Sequence, residues 1–179
     1  RDRSVSRGLG DVYKRQVELI EEGSTIFLGT GTTVEQMASM LPAFRLRIVT
    51  NSLSVFNLLE AREDCDLCLV GGMYRRRTAA FVGPTAEDTL RALGIDAAFI
   101  GANGILDGDV STSNMDEGRI QQLAFSKADS RYLIADSSKI GKRDFYTFCR
   151  LDSLDAVVCE PSISAEDRAA IEEHAQVIC

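Results

Sequence analysis

No stretch of the chain approaches the run of about 20 apolar residues needed to span a bilayer. No basic leader feeds a short apolar segment ending in small residues. The sequence therefore reads as soluble and cytoplasmic, with no membrane partner. Lysine is scarce, four residues in 179, and 20 Lys plus Arg stand against 27 Asp plus Glu for a net charge of −7. Polyanion binding needs clustered Lys and Arg, so this stretch should bind DNA poorly. Histidine occurs once, at His174, and the five cysteines are an odd number of which only Cys65 and Cys68 lie close together. The run from Cys65 to Val70 reads as a buried strand, where residues three apart face opposite sides and cannot chelate one ion. A structural zinc site would need two further ligands. No metal and no cofactor is expected, and the cysteines read as small apolar packing.

What is present is ordinary globular composition: 45% hydrophobic residues, 26% charged and 14 Gly, which excludes disorder as a description of the whole. The length suits one domain. Charge is uneven, however. Residues 1–16 carry five Lys/Arg against two Asp, leaving a net of −10 for residues 17–179. The first sixteen residues have no sustained apolar period and no initiating Met. They are expected to be a non-native leader or a linker remnant, with the folded domain spanning 17–179.

Within that domain, short apolar β-prone runs alternate with helical patterns. Residues 24–28 form a strand, followed by Gly29-Thr30-Gly31-Thr32-Thr33 and a helix to Leu41, where Pro42 stops it. Thr33 and Gln36 are spaced as a capping box. A second strand at 47–50 leads through Asn51 and Ser52 into a helix over 53–61, with apolar residues at Leu53, Phe56, Leu58 and Leu59. A third strand covers 66–70. After Gly71 and Gly72 comes an irregular basic segment, Tyr74 to Thr78, then a helix opened by Gly83-Pro84-Thr85 with Thr85 and Asp88 as a second box. Strands at 96–100, 132–135 and 155–159 follow, with a helix over 116–128 between the first two. Ser164 and Asp167 cap a last helix, and a closing strand starts near Val177. The alternation predicts an α/β fold, a doubly wound and mostly parallel sheet with helices on both faces.

Ligands of such sheets bind outside the carboxyl ends of the strands. Those ends carry Gly29 to Thr33, Thr50-Asn51-Ser52, Gly71-Gly72, Gly101 to Gly104 and Asp136 to Lys139, so small polar residues and glycines gather at one rim. The glycine-threonine loop suits a phosphate, because glycines let backbone N–H groups approach an anion and the hydroxyls donate further bonds. It matches neither the dinucleotide fingerprint nor the P-loop, since no Lys follows it. Taken alone, it also fits, less well, a tight strand-to-helix turn with a Thr cap. Lys139 offers the rim a compact positive charge or is a solvated surface residue. Asn103 has the donor and acceptor that a sugar hydroxyl requires, or serves a turn. Glu117 sits in a first helical turn as ligand contact or as dipole partner. Arg75, Arg76 and Arg77 read as a solvated charge run outside the core site.

In this order and at these strand ends, the landmarks resemble the effector-sensing C-terminal domain of DeoR-type bacterial sugar-metabolism repressors over roughly residues 17–179. The resemblance implies a fold like that of sugar-phosphate isomerases. It also implies a sensor of a phosphorylated sugar that controls operator DNA through an N-terminal winged helix-turn-helix, for which residues 1–16 are too short. On matching positions, Gly29, Thr30, Gly31, Thr32 and Thr33 would hold the phosphate. Thr50, Asn51 and Ser52 would line the adjacent rim with Gly71, Gly72, Asn103 and Glu117, and Lys139 would complete the charge balance. A homo-oligomer is implied, and no catalysis. The rival expectation is an aldose-ketose isomerase with Glu117 as proton shuttle and Lys139 stabilising the enediolate, for which Asp107, Asp109 and Asp116 are the candidate second carboxylates.

Overall fold

The computed structural model describes residues 17–179; the expectation for residues 1–16 lies outside them. A seven-stranded sheet forms the centre, in the order β12-β11-β9-β6-β1-β2-β3, with every neighbouring pair parallel. Its strands are β1 (Thr25–Leu28), β2 (Leu46–Thr50), β3 (Cys65–Leu69), β6 (Ile95–Gly101), β9 (Ala128–Ile134), β11 (Ala156–Val158) and β12 (Gln176–Ile178). Central strands buried on both faces read as continuous apolar runs, and β1 and β6 are of this kind, whereas edge strand β3 is only half-buried.

Side chains alternate across the sheet and feed two separate cores. Phe27, Val49, Ala98, Ile100 and Leu133 face one way, beneath α3 (Pro84–Arg91) and α4 (Met115–Lys127), with α5 (Ala165–Glu172) on the same side through Ile171. Ile26, Leu28, Ile48 and Phe99 face the other way, beneath α1 (Thr32–Ala38) and α2 (Leu53–Leu59). The two-faced α/β architecture is as the alternation predicts. Cys65 and Cys68 split as expected between the two cores, although both are half-buried on the edge strand.

Local details depart from the sequence reading in instructive ways. Helix α1 is capped by Gly31 and α3 by Gly83, neither with a side-chain bond, so neither the Thr33 box nor the Thr85 box forms. Both threonines lie inside the first turn of their helices, two residues past the cap. Helix α1 ends at Ala38, before Pro42, and Leu58 of α2 is exposed while Val55 and Leu59 are buried. Ser52 and Ser164 do cap, accepting from the Val55 and Asp167 amides. Strand β9 begins at Ala128, directly at the end of α4, four residues before the expected start.

Two antiparallel sheets sit beside the central one. The basic segment after Gly72 is a hairpin, β4 (Met73–Arg75) with β5 (Ala80–Val82). β7 (Gly104–Leu106), β8 (Asp109–Thr112) and β10 (Tyr146–Arg150) form a three-stranded sheet. A Cβ on Gly72 would lie 2.8 Å from the Val82 carbonyl and 3.1 Å from the Ala86 amide, at a φ of +107°. Only glycine lets the hairpin start this close to α3.

Candidate functional site

The chain runs outward in one direction from β1 to β2 and β3, then returns to the other side of β1 for β6, β9, β11 and β12. The order reverses between β1 and β6, and such a switch point leaves a crevice at the strand ends. A cavity of about 420 Å³ lies there. The loop after β1 contributes Thr30 to Thr33, and that after β6 contributes Gly101 to Asn103. Glu35 of α1, Ser54 of α2, residues 76–79 of the hairpin, Thr112 and Ser113, Glu117 and Gln121 of α4, Ile134, and Asp136 with Lys139 complete the wall.

Of the expected site residues, Thr30, Gly31, Thr32, Thr33, Asn103, Glu117 and Lys139 therefore come together around one space. The first-turn amides of α1 have no intrahelical acceptor, and Gly31 offers no capping side chain. Thr33 lies against Gly101, where a Cβ would meet its Oγ1 at 3.6 Å. Lys139 ends a short 3-10 turn, Ser137–Lys139, whose Asp136 cap accepts from the Ser138 amide and hydroxyl.

Gly29, Thr50, Asn51, Ser52, Gly71 and Gly72 lie outside this wall and shape it from behind. The Gly29 amide donates to Phe99 O. Thr50 Oγ1 donates to Leu28 O and accepts from the Ser52 amide, joining the ends of β1 and β2. Asn51 Nδ2 donates to Phe81 O, and the Phe81 amide donates back to Asn51 O. The Leu53 amide donates to Ala79 O. These bonds clamp the hairpin to the rim, which is how Arg76 and Arg77 reach the cavity although the sequence set them outside it.

Glu117 is held tightly. Its backbone amide donates to the Asn114 cap, and its Oε2 accepts from Arg75 Nε at 3.0 Å, with the carboxylate side chain 5% exposed. Helix α4 thus presents a buried acid whose charge the hairpin neutralises. Gln121, one turn further on, is 6% exposed; its Nε2 donates to Gly101 O while its Oε1 has no partner. Asn103 turns its amide toward Asp144, 3.2 Å away. The carboxylates Asp107, Asp109 and Asp116 do not line the cavity, and Asp109 is paired with Arg150 at 2.8 Å. Among the described residues no cluster of three or more His, Cys, Asp or Glu is placed to hold a metal ion, and no helix is long and apolar enough to cross a membrane.

Residues 11–160 match the family model of the DeoR C terminal sensor domain. The chain belongs to this family. The lactose phosphotransferase system repressor of Staphylococcus epidermidis is 41% identical over 169 residues, which are 93% of this chain and 67% of that protein. The repressor of the same name from Lactococcus lactis is 38% identical over 171 residues, 94% of this chain and 67% of that one. Similar solved structures include ribose 5-phosphate isomerase A of Methanocaldococcus jannaschii, with a TM-score of 0.54 and 18% identity over 77% of this chain and 56% of that one. They also include eIF2B delta of Chaetomium thermophilum, with a TM-score of 0.61 and 10% identity over 86% and 56%. At these identities the likeness is one of fold. As a DeoR sensor domain the chain is a regulatory module of a transcriptional repressor that responds to an effector, and the isomerase reading is set aside.

Proposed function

We propose that the effector is a phosphorylated sugar held in the switch-point cavity, and that its binding controls operator DNA through an N-terminal winged helix-turn-helix preceding this stretch in a homo-oligomeric repressor. The observation that carries the reading is the division of labour in the wall. The wall offers donors: the uncapped start of α1, the hydroxyls of Thr30, Thr32 and Thr33, and the cations Lys139, Arg76 and Arg77. Phosphate oxygens are acceptors and suit these groups. It also offers the polar side chains Asn103, Glu117 and Gln121, which suit hydroxyls. Of the three carboxylates in the wall, Glu117 is paired with Arg75, Asp136 caps its own turn and Glu35 lies in the first turn of α1, against the three cations Lys139, Arg76 and Arg77. The names of the relatives, repressors of a sugar phosphotransferase system, favour the same ligand class.

The test is calorimetric titration of the chain with a panel of pentose, hexose and ketohexose phosphates and their unphosphorylated parents. Binding should require the phosphate, and Lys139→Ala should weaken it about tenfold, the loss of one charge-assisted bond. Equal binding of a sugar and its phosphate, or no binding across the panel, refutes the reading.

A further inference from the structure

Two side-chain atoms among the described residues are buried without a hydrogen-bond partner, Asn51 Oδ1 and Gln121 Oε1. Only Gln121 belongs to the cavity wall. Its amide orientation is forced: Nε2 lies 3.3 Å from Gly101 O, and turning the amide over would set two acceptors against each other. The oxygen is therefore the end left free, and a buried acceptor without a donor is costly. Gly101 in turn packs against Thr33 of the glycine-threonine loop, so the orphan oxygen lies beside the loop rather than at the far wall.

Resting on the phosphosugar reading above, we propose that Gln121 is a specificity-determining residue whose Oε1 accepts a hydrogen bond from a hydroxyl of the effector. An ionised phosphate is acceptor-only and cannot supply that bond. Glu117 lies four residues earlier on the same helical face, is also buried, and is also an acceptor. Glu117 and Gln121 of α4 thus offer acceptors that suit hydroxyls, while the glycine-threonine loop offers the donors a phosphate takes. Gln121 is thereby a reader of one hydroxyl. The class of ligand is a polyhydroxylated phosphate monoester with a free hydroxyl close to the ester-bearing end. A deoxy analogue lacking that hydroxyl leaves the oxygen orphaned and is rejected.

The experiment crosses ligand against protein. Wild type and Gln121→Met are titrated with inorganic phosphate, with the sugar phosphates that bind, and with their monodeoxy analogues. One monodeoxy analogue should bind wild type about tenfold more weakly than its parent, whereas Gln121→Met should bind the two alike and inorganic phosphate within about twofold of wild type. Three results overturn the proposal: wild type binding every monodeoxy analogue as tightly as the parent, Gln121→Met retaining the full deoxy penalty, or Gln121→Met losing phosphate and sugar phosphate equally. The first needs no variant and stands even if Gln121→Met fails to fold. If wild type binds no sugar phosphate at all, the phosphosugar reading falls and this proposal with it.

Discussion

Replacing Arg75 with Met should destabilise the domain by about 2 kcal/mol, and the figure follows from the asymmetry of its ion pair. Glu117 is 5% exposed and Arg75 28%, so the substitution strands the buried member. Stranding one charge of a fully buried pair costs about 3–5 kcal/mol. The wet flank of Arg75 admits solvent to the vacated space, and the first turn of α4 still favours a carboxylate by about 0.3–1 kcal/mol; both lower the cost. For a chain of this size about 2 kcal/mol corresponds to a Tm lower by roughly 4–8 °C. Urea unfolding should show a lower midpoint with the slope unchanged, since the surface exposed on unfolding is the same. Glu117→Gln leaves the half-exposed guanidinium to water and should cost less, about 1 kcal/mol. The double variant should be more stable than the sum of the two losses implies, with a coupling of about 1 kcal/mol. A loss below about 0.5 kcal/mol for Arg75→Met, or strict additivity, would refute the claim that the hairpin neutralises a buried acid at the rim.

Gly118→Ala sets a Cβ 2.3 Å from Tyr146 Cδ1 and 3.2 Å from Thr112 Cγ2. Overpacking there should outweigh the gain in helix propensity of about 1 kcal/mol and leave a net loss of about 1–2 kcal/mol in urea titrations. Adding Tyr146→Ser should recover part of it, and a neutral or stabilising Gly118→Ala would show that α4 is free to move off β10. Burial pushes the Cys149 and Cys159 thiols up from 9.0 to about 12. Because the thiolate is the reactive form, buried Cys159 should resist an aromatic disulfide reagent at about pH 8 in the native protein and react as urea unfolds it, with half-buried Cys149 reacting before it. Their contribution to stability is complete below pH 9.0, the ordinary value, and is lost as pH rises toward about 12, since the unfolded chain releases protons the folded one keeps. Labelling of Cys159 within the mixing time in native buffer would contradict its burial.

The parallel sheet was legible because a strand covered on both faces is written as an uninterrupted apolar run, as in Ala97-Ala98-Phe99-Ile100. The antiparallel additions were not. Strands β4 and β5 are three residues each, and Met73-Tyr74-Arg75 shows a charge run more clearly than an alternation. Strand β10 mixes Thr147, Cys149 and Arg150 with one fully buried residue, Phe148, and exists because β8 pairs with it. The two failed capping boxes have one cause: a glycine before the helix can adopt the entry conformation with no side-chain bond, so a Thr downstream is absorbed into the first turn.

The site divides along the same line. Thr30 to Thr33 were readable because the residues that line this part of the cavity are adjacent in the chain. The pair Arg75 and Glu117 is separated by 42 positions and depends on the clamp between Asn51 and Phe81, two residues that local pattern cannot join. Gln121 left a trace that could have been followed. It stands beside Ile120 and before Ala124 on the buried face of α4, where an amide interrupts an otherwise apolar stripe. A polar residue in that position must find hydrogen bonds inside the protein or across a cavity. Gly101 supplies one of them, and the amide oxygen is left without a partner at the cavity wall.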